Sequence, residues 1–171
     1  MLQMPIIFAG MVFWNFVLIG VTIWLGATHA SDHWQHQALG VLTGIYTLLT
    51  HCIVMMHFMG SGKGIKEAVA TYNLPNDPQT GYTRRLRRLT ARSSAMATFG
   101  CLATIAVVWL GGAKDTGRMH SQTHAWVAWA VVAFNAYAFW VEYRTIRENT
   151  AMIREINSRI AKAAPTPEET P

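Results

Sequence analysis

Residues 34–60 read WQHQALGVLTGIYTLLTHCIVMMHFMG, a stretch without a single Asp, Glu, Lys or Arg. About 20 such residues are enough for a helix to cross the hydrocarbon core of a bilayer. The segment therefore predicts a transmembrane helix, and its polar content is ordered rather than scattered. His36, Gly40, Thr43, Thr47, Thr50, Val54 and His57 follow a 4–3 spacing and share one helical face, with His33, Gly44 and His51 beside them. A stripe of polar and small side chains is unfavourable against acyl chains, so this face is expected to turn towards other helices of the same bundle.

Three further segments, 5–26, 93–112 and 119–141, are equally free of charge and equally long enough to cross. Only 13% of the 171 residues are charged and 51% are hydrophobic, against roughly 25% charged in a soluble domain. The predicted fold is all-α, a four-transmembrane-helix bundle forming one membrane domain over residues 1–163. Residues 164–171, with Pro165, Pro167 and Pro171, read as a disordered tail. The first span has no basic residue before it and exceeds a signal-peptide core, so it reads as an anchor, with removal near the small residues 27–30 as the alternative.

The net charge of +5 is concentrated at the span ends. Lys63, Lys66, Arg84, Arg85, Arg87, Arg88 and Arg92 lie between the second and third spans. Arg144, Arg147, Arg154, Arg159 and Lys162 follow the fourth, and only Lys114 and Arg118 lie on the other side. By the positive-inside rule the second loop and both termini are cytoplasmic, with residues 27–33 and 112–120 outside. Seven Trp and four apolar spans make the lipid bilayer the partner of these cations, and nucleic-acid binding is not expected. The expected location is a bacterial-type inner (plasma) membrane. On the cytoplasmic side, residues 65–72 predict a short amphipathic helix on the bilayer, after a helix end at the glycines of 60–64 and before Pro75 and Pro78. Ile146, Ile153, Ile156 and Ile160 predict an amphipathic extension of the fourth helix whose stripe needs a partner in the second loop, in lipid or in another copy of the chain.

Two groups of residues suggest chemistry. His51 lies roughly 22 Å along the helix from His36 at ~1.5 Å per residue, and Asn15 and Asn135 fall near its depth on the first and fourth helices. With Thr47 they form an expected polar layer. An intramembrane histidine is a candidate ligand or proton relay, or else a neutral ring satisfied by Asn or Thr. At the outer end, His29, Asp32, His33 and His36 precede or open the second helix, while His120 and His124 open the fourth. His36 and His124, at similar depth, suit the two axial positions of a b-type haem, with His51 as a possible inner ligand. Alternatively, His29, His33, His120 and His124, completed by Asp32 or Asp115, suit copper or zinc. The plain alternative is interfacial histidines beside the belt residues Trp34 and Trp126.

His51, Cys52, Met55, Met56, His57 and Met59 are soft-metal donors in type, but helical spacing disperses them. The run 60–64 lacks the pattern of a phosphate loop. Glu142, two residues from Arg144, reads as half of a surface-level ion pair. No catalytic residue is assigned. The leading expectation is a redox or electron-transfer membrane protein holding haem b. The alternatives are a non-catalytic subunit of a larger membrane complex, or a homo-oligomer, and an outward-facing copper or zinc protein.

Overall fold

The computed structural model describes residues 3–28, 33–77, 81–118 and 120–163. They form four α-helices, α1 (Gln3–Thr28), α2 (His33–Thr71), α3 (Tyr82–Asp115) and α4 (Ser121–Ala163). Each is long and apolar enough to cross a membrane. Helix is the form such segments must take, because hydrocarbon offers no partner for backbone N–H and C=O groups and a helix satisfies them internally. The segment 164–171, expected to be a disordered tail, lies outside the described residues.

The last three helices outrun the charge-free segments that predicted them, at 39, 34 and 43 residues. The expected break at residues 60–64 and the separate short helix after it are not found; α2 continues through the glycines to Thr71. A glycine costs about 1 kcal/mol in a helix interior, and here neighbouring helices offset it. Ser61 Oγ accepts from Asn149 Nδ2 at 2.9 Å, and Gly62 lies against Leu86, whose methyl is 3.6 Å from where a Cβ would sit. Beyond them Ile65 and Val69 are buried with Tyr82, Leu86, Met152 and Ile156. The stripe that follows Tyr143 thus finds its partner inside the chain, on the ends of α2 and α3.

Local chemistry sets the helix ends. Asn73 adopts a left-handed conformation (φ 46°) and Leu74 N–H donates to Val69 O at 3.1 Å, which satisfies a terminal carbonyl of α2. Gly117 (φ 71°) does the same for α3, with Arg118 N–H donating to Ala113 O at 2.9 Å. His120 precedes α4 and its Nδ1 accepts from Gln122 N–H at 3.4 Å, the place of an N-cap acceptor.

Among the described residues α3 packs on α2 and α4, α1 packs on α2 and α4, and α2 meets α4 across the centre. A second apolar cluster, Phe8, Val54, Phe58, Phe139 and Ile146, fills the middle of the bundle. Trp24 and Trp109, near the ends of α1 and α3, and Trp34 and Trp126, at the starts of α2 and α4, are all more than half exposed. They ring one end of the bundle, as interfacial tryptophans do.

Met152, 0% exposed, sits in the cluster that holds the long helix ends together. Met152→Ala is expected to lower stability by about 2–5 kcal/mol. Met59→Ala, at a site 67% exposed, is expected to leave it unchanged. Thermal unfolding midpoints of the two variants in detergent check this.

Candidate functional site

The predicted stripe on α2 does turn inward. Thr43, Thr47, Thr50, His51 and Val54 are buried, and His36, Gly40 and His57 are half-buried, while Val41, Leu42, Ile45 and Leu49 face out. Gly40 and Gly44 serve different neighbours: Gly44 meets Val108 of α3 closely, and Gly40 meets Thr22 of α1 at ordinary contact distance.

The middle of the bundle holds a directed chain of hydrogen bonds. Thr104 Oγ1 donates to Gly100 O at 2.8 Å, so its lone pair is what accepts from Asn135 Nδ2 at 3.2 Å. Asn135 Nδ2 also donates to Val131 O at 3.1 Å. With the amide nitrogen so placed, Asn135 Oδ1 must accept, and it lies 2.9 Å from His51 Nε2. His51 therefore carries a proton on Nε2. Its other nitrogen, Nδ1, lies 2.8 Å from Glu142 Oε1.

His51 and Glu142 are both 0% exposed. Phe139 stacks on the imidazole at 4.7 Å between centroids, and Phe8 and Phe16 of α1 meet Phe139 edge-on. On α3, Gly100 has no side chain because the His51 ring occupies the space where its Cβ would be.

Glu142 was expected beside Arg144 at the surface, and its burial overturns that expectation. Its helical phase is the reason: residues 135, 142 and 149 recur every seventh position and share one face of α4, whereas Arg144 lies on another. Asn149 continues the column, donating to His57 Nε2 at 3.3 Å and to Ser61 Oγ. Among the described residues Glu142 Oε2 and Asn149 Oδ1 on this face, and Ser93 Oγ of α3, are buried without a hydrogen-bond partner.

Towards the tryptophan-ringed end lies a cavity of about 500 Å³, within the range of small-molecule and cofactor sites. Thr47, Thr104 and Asn135 line it deep in the bundle, and His36, His124 and Lys114 line it nearer the helix ends. Asn15 stands behind Thr47, donating to its hydroxyl at 3.0 Å. The rings of His36 and His124 are neighbours in an edge-on arrangement, with centroids 6.5 Å apart and planes at 84°. Each ring rests against a glycine of a neighbouring helix, His36 against Gly26 of α1 and His124 against Gly111 of α3. His36 Nδ1 lies 3.0 Å from Thr22 O. A carbonyl only accepts, so Nδ1 is the donor.

The predicted site residues separate into groups. Asn15 and Thr47 are hydrogen-bonded to each other, Thr47 and Asn135 line the same cavity, and the rings of His36 and His124 are 6.5 Å apart. His51 does not suit the inner haem position, because both its nitrogens are already hydrogen-bonded. His120 is exposed and turned to its capping contact, apart from His124. His29 and Asp32 lie outside the described residues, as do the side chains of His33 and Asp115. Among the described residues no three His, Cys, Asp or Glu side chains form a metal-binding group. Cys52, Met56 and Met59 face outward, which leaves the soft-metal run without a common centre.

Comparisons with protein-family models, with curated proteins and with solved structures found no match.

Gly100 and Gly10 allow a test in which the sign of the effect differs. A methyl at Gly100 would overlap the His51 ring, whereas at Gly10 it meets nothing within 4 Å. Gly10→Ala is expected to be neutral or stabilising by up to about 1 kcal/mol, and Gly100→Ala clearly destabilising. Unfolding midpoints of both in one detergent decide it.

Proposed function

We propose that the protein is a membrane redox protein that binds one b-type haem in the outer cavity, with His36 and His124 as axial ligands. The observation that carries this reading is the neighbouring pair of imidazoles, 6.5 Å between centroids, lining a cavity of cofactor size. His36 and His124 would hold the iron, one from α2 and one from α4.

Three details support it. The Thr22 carbonyl fixes the tautomer that leaves His36 Nε2 as an electron-pair donor, the usual arrangement behind a ligating histidine. Gly26 and Gly111 admit the two rings against α1 and α3. Lys114 at the mouth supplies positive charge for the propionates. The bound group would supply one-electron chemistry, and the protein would supply the ligands and an apolar wall that raises or lowers the potential. Copper or zinc at the same end is less well supported, because His120 turns away from His124. The subunit reading loses one of its arguments, since the amphipathic stripe of α4 is covered within the chain.

We further place the second loop and both termini in the cytoplasm of a bacterial-type plasma membrane, from the distribution of Lys and Arg. The long cytoplasmic ends of α2, α3 and α4 would then form a small domain held by the Met152 cluster and by Glu155. The Glu155 carboxylate accepts from Tyr82 Oη at 2.7 Å and Arg85 Nη1 at 3.0 Å.

The haem reading is tested by the visible spectrum of protein purified in mild detergent, reduced and oxidised, with a haem assay per chain. Low-spin haem b bands are expected, lost in His36→Ala and His124→Ala and retained in His120→Ala. A folded wild-type protein that is colourless and takes up no added haemin would remove the reading. The orientation is tested by cysteines introduced at Arg154 and Thr116. In right-side-out vesicles an impermeant thiol reagent is expected to label the second and to reach the first only after lysis.

A further inference from the structure

The haem reading leaves the His51–Glu142 pair unused, and nothing in that reading requires it. Several features set the pair apart from an ordinary buried hydrogen bond. The orientation of Asn135 fixes a proton on His51 Nε2, and a second proton must lie between Nδ1 and Oε1 at 2.8 Å. Whether that proton is drawn on nitrogen or oxygen, the pair as a whole is neutral. An ionised carboxylate or imidazolium alone at this depth would cost several kcal/mol. Glu142 Oε2, buried and without a partner, is a vacant acceptor for one more proton. Buried polar atoms are rarely left so.

The pair is also close to a route out. Asn135 lines the outer cavity and touches His51 Nε2, so one side chain separates the ring from that space. The cavity is roomy and has hydroxyl and amide groups deep within it, which are the conditions under which buried space holds water. Few other titratable groups face the pair. α1 has none in its whole length, and between residues 93 and 112 α3 has only Cys101. α2 adds Cys52, which faces outward, and His57, which is engaged by Asn149. On α4 the nearest charged neighbour in sequence, Arg144, stacks on Trp140. Among the described residues the sole ion-pair partner of Glu142 is His51.

We propose that His51 and Glu142 form a proton-binding site in the membrane core, whose ligand is the proton itself and which exchanges with the outer cavity across Asn135. The Nε2 proton leaves to, or arrives from, water in the cavity when the Asn135 amide moves aside. The shared proton shifts between Nδ1 and Oε1, so that loss of the Nε2 proton to a water leaves the remaining proton on Nδ1 beside an ionised carboxylate, and its return to Nε2 restores the neutral pair. Each step moves one proton between two named atoms and needs no oxidant or reductant. The site goes beyond the haem proposal and does not depend on it.

Nitrogen NMR of histidine-labelled protein, as purified and placed in lipid nanodiscs, tests the site directly. The His51 signals are assigned by their loss in His51→Asn. Nε2 is expected to be protonated, with an Nδ1 resonance intermediate between protonated and unprotonated imidazole that moves as the pH is lowered. In Asn135→Leu the intermediate Nδ1 resonance should persist while exchange of the Nε2 proton into D2O slows by about tenfold or more. An Nδ1 resonance of ordinary type, unmoved by pH and by Glu142→Gln, overturns the proposal, as does exchange equally fast in Asn135→Leu. If Asn135→Leu does not fold, the wild type decides, because exchange no faster than that of the surrounding helix amides also overturns it. The readout is independent of haem absorbance, so either proposal can fail without the other.

Discussion

Inside hydrocarbon a polar side chain has no solvent to fall back on, and in this chain that constraint organises the bundle more than apolar packing does. Lipid tails are as apolar as the side chains facing them, so burying Leu or Val against another helix gains little over leaving it in lipid. What distinguishes one arrangement of the four helices from another is where Asn15, Thr47, His51, Thr104, Asn135 and Glu142 find partners. Asn15 ties α1 to α2, Asn135 ties α4 to α3 and to α2, and Glu142 ties α4 to α2 again. Sliding any helix by one turn would strand several of these groups together.

The magnitudes bear on what the network does. Hydrogen bonds between transmembrane helices average about 0.6 kcal/mol, so the few found here would not by themselves hold a bundle together. Removing one member of a buried charge-bearing pair costs about 3–5 kcal/mol, because the other is left uncompensated. The network therefore acts chiefly against wrong registers. The ends of α2, α3 and α4 beyond the charge-free spans work differently, for there Ile65, Val69, Met152 and Ile156 form an apolar cluster amid charged segments. The hydrophobic effect contributes fully in that part of the molecule.

These two regimes explain what the sequence could and could not convey. The four spans were legible because lipid imposes a crude rule, about 20 residues without charge, and the inward face of α2 was legible because its polar residues keep a helical period. Asn15, Thr47 and Asn135 could be placed at one level by counting residues. Glu142 could not be found in that way, since a charge after Val141 ended the apolar run and Arg144 offered a nearer explanation. Its seven-residue spacing from Asn135 and Asn149 was present in the sequence, but it gains meaning only once α4 is known to continue as one helix. The continuity of α2 through residues 60–64 was hidden for a similar reason. Glycine propensity is a local property, and the contacts of Ser61 and Gly62 with α4 and α3 that outweigh it are not.

His36 and His51 lie on the same helix, yet their surroundings give them opposite chemical characters. At His36 the Thr22 carbonyl accepts from Nδ1. At His51 an amide oxygen takes the Nε2 proton and a carboxylate faces Nδ1, so no electron pair remains for a metal while protons are held at both ends. The first environment holds its ring by a backbone carbonyl, the second by an amide and a carboxylate. Glycines at 26 and 100 admit the two rings against neighbouring helices in the same manner, so the difference lies wholly in the hydrogen-bond partners. Asn135 belongs to both surroundings, since it lines the cavity that His36 also lines and its amide oxygen accepts from His51.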